Sequence, residues 1–247
     1  MKENASRHLA FAMDVDSFDE AEKWVKLLRG KVGLFKVGKQ LFTRCGPDVV
    51  RMIRAEGGEV FLDLKYHDIP NTVAKAAVEA CRLGVRMFNV HALGGGEMMR
   101  ATSTAVREVC EREGIERPVV LAVTILTSST DETLRQIGID RPVTEMVPRL
   151  AALARDAGLD GVVASPREVG LIRSACGPEF RIVTPGVRPA FAAANDQKRV
   201  TTPAEAIRAG ADYLVVGRPI SAADDPVDAA ARILAEIEEA LSSSADG

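Results

Sequence analysis

Eight short apolar runs recur along this chain, and helical patterns fill the gaps between them. The runs are HLAFAMDV (8–15), LFKVG (34–38), EVFLDLK (59–65), MFNVHA (87–92), VVLAVTIL (119–126), GVVAS (161–165), RIVTPG (181–186) and YLVVGR (213–218). Most are nearly continuous in apolar residues. Parallel strands covered on both faces have that pattern, whereas a strand wetted on one face alternates. Ser17-Phe-Asp-Glu20 and Ser129-Thr-Asp-Glu132 have the spacing of a helix capping box. Ser165-Pro-Arg-Glu168 and Thr202-Pro-Ala-Glu205 add a proline at the first helical position. Ala21, Trp24, Val25 and Leu28 follow the first box at helical intervals. Val147, Leu150, Ala151 and Ala154 form a second stripe, which Gly158 ends, and Asp225-Pro226 opens a last helix.

Strands alternating with helices eight times predict an α/β fold, a (β/α)8 TIM barrel, as a single domain over residues 1–247. Such barrels typically take about 250 residues. A doubly wound open sheet is the alternative. Against it, AFAMDVDSFDE has no glycine, so no dinucleotide fingerprint follows the first strand. No linker divides the chain, and only the tail SSSADG, from about residue 242, is expected to be disordered.

The balance of charge narrows the partners. A net charge of −3 without a Lys/Arg block argues against nucleic acid. No uncharged apolar run reaches the roughly 18 residues of a membrane span, and the N-terminus lacks a signal-peptide core. Cys45, Cys81, Cys110 and Cys176 form no CxxC motif, as expected of reduced thiols in a cytoplasmic protein. The histidines and cysteines show no zinc-ligand spacing, and no Gly-x-Ser-x-Gly elbow is present.

In a (β/α)8 barrel, functional groups collect at the C-terminal ends of the strands. Asp14 and Asp16 end the first run and Lys36 lies in the second. Asp63 and Lys65 lie in the third, and Asn89 and His91 in the fourth. The fifth leads into Thr127 and Ser128, the seventh into Thr184 and Arg188, and the eighth ends in Gly217-Arg218. Side chains alternate along a strand, so Leu62 and Leu64 are expected to face the helices while Asp63 and Lys65 face the barrel mouth. Asp68, two residues before Pro70, should lie past the strand on a loop. Buried charge is costly unless paired, and interleaved lysines and aspartates neutralise one another. Such a set serves either catalysis or a structural ion-pair network. Gly217-Arg218 suits a phosphate held by backbone N–H groups after the last strand, with Arg188 closing over it from the loop VRPAFAAANDQKRV. His91 is read as a hydrogen-bonded barrel residue and His67 as a structural or positioning one.

FLDLKYHDIPNT (61–72) resembles the signature of the orotidine 5′-phosphate decarboxylase family, with its D-x-K-x-x-D-I-x-x-T core. LFKVGKQLFTRCGP, NVHALGG, AVTILTS, GLDGVVAS, VTPGVRP and VVGRPI resemble further family segments in the same order, covering roughly residues 9 to 240. Met13 stands where a leucine is expected, a change that leaves Asp14 undisturbed. The resemblance implies decarboxylation of orotidine 5′-monophosphate (OMP) to UMP, the last step of UMP biosynthesis, with no metal and no cofactor. It implies that Asp14 binds ribose, that Lys36, Asp63, Lys65 and Asp68 form the charge network, and that Lys65 donates the proton. It implies substrate contacts from Ile69, Thr127 and Ser128, and phosphate contacts from Arg188, Gln197, Gly217 and Arg218. Asp68 and Thr72 would enter a neighbouring subunit's site, which implies a homodimer. A related barrel that decarboxylates a sugar-acid phosphate shares D-x-K-x-x-D but uses magnesium, with an acidic residue where this chain has Lys36. A non-catalytic phosphate-ligand barrel is a further alternative, although binding alone has no need of a buried proton donor.

Overall fold

The computed structural model describes residues 5–192 and 201–244. The strands are β1 (Leu9–Ala12), β2 (Leu34–Gly38), β3 (Val60–Tyr66), β4 (Met87–His91), β5 (Val119–Val123), β6 (Gly161–Val163), β7 (Arg181–Pro185) and β8 (Tyr213–Val216). The helices are α1 (Phe18–Leu28), α2 (Lys39–Cys45), α3 (Asp48–Ala55), α4 (Pro70–Arg82), α5 (Gly95–Glu113), α6 (Asp131–Gln136), α7 (Val143–Asp156), α8 (Val169–Cys176), α9 (Pro203–Arg208), α10 (Arg218–Ser221) and α11 (Pro226–Ser244). Every strand falls on an apolar run. Several runs outlast their strands, because burial and not ladder pairing sets the apolar pattern: Met13, Val15 and Ile125 are buried beyond the ends of β1 and β5.

The strands follow sequence order around a closed barrel. Closure is visible at β1, which pairs in parallel on both sides. Ala10 stands opposite Leu34 of β2 and Val215 of β8, and Phe11 opposite Phe35 and Val216. An open sheet in this order would leave β1 with one neighbour, so the doubly wound alternative is excluded.

Packing divides the chain into two compact units, Met1–Asp63 with Thr184–Gly247, and Leu64–Val183. In the first, Ala21, Val25 and Leu28 of α1 are fully buried, and the half-buried Trp24 sets its ring 5.3 Å from that of Phe11. Burying a side chain such as Phe11 contributes about 1.5–3 kcal/mol. In the second, α4 buries Val73, Ala77 and Ala80, and α5 buries Met98, Met99, Val106 and Val109. Asp160 joins β5 and β6 by accepting from Arg117 at 2.8 and 3.0 Å and from the Val120 N–H at 2.8 Å. Burial and the neighbouring Cys110 push the Cys81 thiol up to about 12, which keeps it protonated and unreactive.

Helix starts follow the expected chemistry with one shift. Ser17 accepts from the Glu20 N–H, and Thr202 with Glu205 forms a reciprocal box. Ser165 forms one with Glu168, opening a short 3-10 turn that leads into α8. The cap of α6 is Thr130 with Thr133, not Ser129 with Glu132, because the Ser129 N–H still closes the preceding turn on Leu126. At the C-terminus α11 takes in Ser242 and Ser243, which were expected in the disordered tail. Their hydroxyls donate to the Glu238 and Glu239 carbonyls one turn back. No helix among the described residues is long and apolar enough to cross a membrane.

Candidate active site

Lys36 is the centre of the charged cluster in the first unit. Phe35 and Val37 on either side of it are buried, and the lysine side chain itself is only 10% exposed. Its ammonium lies 3.3 Å from Asp14 Oδ1 and 3.6 Å from Asp63 Oδ2. Asp14 follows β1 and is 68% exposed, whereas Asp63 on β3 is 14% exposed. The register brings these ends level: Ala12 pairs with Lys36, and Gly38 with Asp63. Truncating Lys36 would leave the half-buried Asp63 without this partner, a change that costs up to about 3–5 kcal/mol when a pair is fully buried. Two close glycines leave the cluster its space. A Cβ on Gly38 would lie 3.2 Å from Lys36 Nζ, and one on Gly217 would lie 3.2 Å from Ala12 Cβ and 3.9 Å from Asp14 Oδ2.

In the second unit the end of β3 departs from the sequence expectation. Lys65 has φ +52°, the only positive φ among the described residues other than glycine. A side chain in this left-handed region costs roughly 1–3 kcal/mol and persists only where its surroundings hold it. Strict alternation therefore describes β3 only up to Leu64, and the direction of Lys65 is set by its turned backbone. The Lys65 N–H donates at 2.8 Å to Oδ1 of Asn89, a fully buried amide on β4. Tyr66 packs its ring 6.2 Å from that of Phe88, and burial pushes its phenol up to about 12. His67 stacks on His91 with ring centroids 5.4 Å apart.

Asp68 is exposed on the loop beyond this turn, as expected, with Ile69 exposed beside it and Thr72 exposed in the first turn of α4. Asp68 Oδ1 accepts from the Ile69 N–H at 2.6 Å, and Ile69, which caps α4, is 66% exposed. Thr127 and Ser128 form an exposed turn after β5. Arg188 is half-buried at the base of its loop, where its N–H donates to the Thr201 carbonyl at 3.0 Å. The adjoining segment is anchored on α11: Ala190 N–H donates to Glu236, and the Arg232 guanidinium lies 3.9 Å over the Phe191 ring. Gly217 caps the single turn α10, and Arg218 is exposed. Gln197 lies outside the described residues.

The sequence named Asn89 only as a polar group in the fourth strand. Its signal was available, since an amide inside the apolar run MFNVHA needs a buried partner. Gly38 gave no such signal, because its contact with Lys36 depends on the fold.

Eight parallel strands in a closed barrel, with paired charges at strand ends, define a (β/α)8 barrel whose charged side chains collect where such barrels carry their functional groups. The family model described as orotidine 5′-phosphate decarboxylase / HUMPS family matches residues 7–233. The chain is 71% identical over 237 residues to a protein of Syntrophotalea carbinolica named orotidine 5′-phosphate decarboxylase, covering 96% of this chain and 97% of that one. It is 66% identical over 236 residues to a Geobacter sulfurreducens protein of the same name, covering 96% and 98%. A crystal structure of orotidine 5′-phosphate decarboxylase from Lactobacillus acidophilus matches with a TM-score of 0.83 at 38% identity, covering 93% of this chain and 98% of that one. The chain belongs to the orotidine 5′-phosphate decarboxylase / HUMPS family and is an enzyme of the decarboxylase class.

Proposed function

We propose that this chain, acting as one barrel domain in the cytoplasm, decarboxylates OMP to UMP and carbon dioxide without a metal or organic cofactor. The observation that carries the reading is the Lys36 ammonium held 3.3 Å from Asp14 and 3.6 Å from Asp63, on a strand that continues to Lys65 two residues later. The curated relatives' shared name supports the substrate.

The chemistry follows from charge. Breaking the bond between C6 and the carboxylate carbon releases carbon dioxide and leaves the electron pair on C6 of the pyrimidine. That vinylic position delocalises the pair poorly, so the site must stabilise it electrostatically. In this reading the Lys65 ammonium provides a fixed positive charge for C6 and then transfers a proton from Nζ to it, giving UMP. Asp63 lies beside the departing carboxylate, Lys36 holds the network and contacts ribose with Asp14, and Thr127 and Ser128 meet the pyrimidine. Arg188, Gln197, Gly217 and Arg218 take the phosphate, whose remote binding energy is expressed at the transition state. Asp68, Ile69 and Thr72 complete the site of a second copy in a homodimer, a role their exposure supports.

Lys36 also argues against the magnesium-dependent sugar-acid phosphate reading, since an ammonium at that position repels a metal. Loss of the orotate absorbance on adding OMP to the purified protein is the test. Persistence of that absorbance would remove the reading, and inhibition by EDTA would move it to the metal-dependent relative.

A further inference from the structure

Three consecutive residues at the end of β3 are each tied to a side chain of β4. The Lys65 N–H is accepted by Asn89, the Tyr66 ring packs on Phe88, and the His67 ring stacks on His91. The first tie differs from the others. It acts on the backbone of the one described non-glycine residue with positive φ, and its acceptor is a fully buried amide. In a regular ladder a strand N–H meets a carbonyl of the next strand. At φ +52° the Lys65 N–H instead meets a side-chain oxygen.

We propose that Asn89 is a positioning residue for the reaction: it fixes the Lys65 backbone in its left-handed conformation and thereby aims the ammonium. The inference rests on the reading of Lys65 as proton donor. The lever is long. With Nζ about 6 Å from Cα, a backbone rotation of roughly 20° displaces the ammonium by about 2 Å. Misplacing a reacting group by 1 Å lowers rates by about a hundredfold. The amide also satisfies a backbone N–H, so a purely structural role predicts a loss of stability without a selective loss of kcat.

The test compares Asn89→Ala, Asn89→Asp and Asn89→Ser. Asn89→Ala is expected to lower kcat about tenfold to a hundredfold, with UMP affinity held within about threefold. In its crystal structure Lys65 is expected to have left positive φ. Asn89→Asp keeps an oxygen at the same reach and should recover most of the rate, whereas the shorter Asn89→Ser should not. If Asn89→Ala fails to fold, Asp against Ser decides, and equal rates overturn the proposal. An unchanged kcat overturns it, as does a Lys65 φ that stays near +50° in Asn89→Ala. So does a parallel loss of kcat, UMP binding and thermal stability. Wild-type protein that leaves OMP unchanged would sink the decarboxylase reading instead, while the Lys65 φ in the variant would still decide whether Asn89 holds that backbone.

Discussion

One methyl group added at Gly38 separates the placement of Lys36 from the stability of the fold. Gly38 closes β2 and caps α2 with φ −88° and ψ 179°, a conformation that alanine adopts without strain. Its new Cβ would lie 3.2 Å from Lys36 Nζ and 3.8 Å from Asp14 Oδ1. The first distance is tighter than an ordinary contact, so the flexible end of the lysine must retreat by several tenths of an ångström. Widening the 3.3 Å separation from Asp14 by roughly 0.5 Å weakens the attraction by about 0.7 kcal/mol at an effective dielectric constant of about 20, or about threefold. Replacing glycine by alanine also restricts the unfolded chain and stabilises the fold by about 0.4–1 kcal/mol. The two terms nearly cancel in stability but not in function. Gly38→Ala should therefore unfold in urea within about 1 kcal/mol of wild type while kcat/KM for OMP falls about threefold or more. An unchanged kcat/KM would refute the claim that the site depends on this geometry. A stability loss above about 2 kcal/mol would show that the methyl meets something stiffer than a lysine tip.

Other perturbations test other parts of the account. Lys65→Ala should abolish turnover while UMP binding, followed by calorimetry, weakens far less; equal losses would contradict a proton-donor role. Mixing Lys65→Ala with Asp68→Ala chains should restore activity, because each mixed dimer rebuilds one intact site, and a mixture that stays inactive would refute site sharing. Tyr66 makes the fold sensitive to alkali. Its phenol titrates near 10 when unfolded and at about 12 when folded, so the unfolded state loses its proton first and stability falls as pH rises above 10. Between pH 9 and 11 wild type should lose about 1.3 kcal/mol more than Tyr66→Phe in urea titrations. A Tyr66→Phe curve parallel to wild type would show that burial does not hold the phenol neutral.

The parts of this molecule that were legible in the sequence are those where one residue type has one physical reason. Continuous apolar runs demand cover on both faces, so eight of them between helices predict the barrel, and β1 paired with both β2 and β8 is the outcome. Ser17, Ser165 and Thr202 satisfy helix N–H groups by local geometry, which spacing alone reveals. The exposure of Asp68 and Thr72 follows from Pro70, which starts a helix and ends the strand's reach. What the sequence withheld depends on contacts between distant segments. Nothing in FLDLKYHD announces that Lys65 turns to φ +52°, because the residue that accepts its N–H is 24 positions away. The period-two rule placed Asp63 and Lys65 together by assuming extended backbone through Lys65, and β3 is not extended there. The residue most closely tied to the proposed chemistry is thus the one whose conformation local propensity opposes. That conflict is itself informative: a lysine in a conformation suited to glycine needs an external restraint, and the buried Asn89 amide is positioned to supply it.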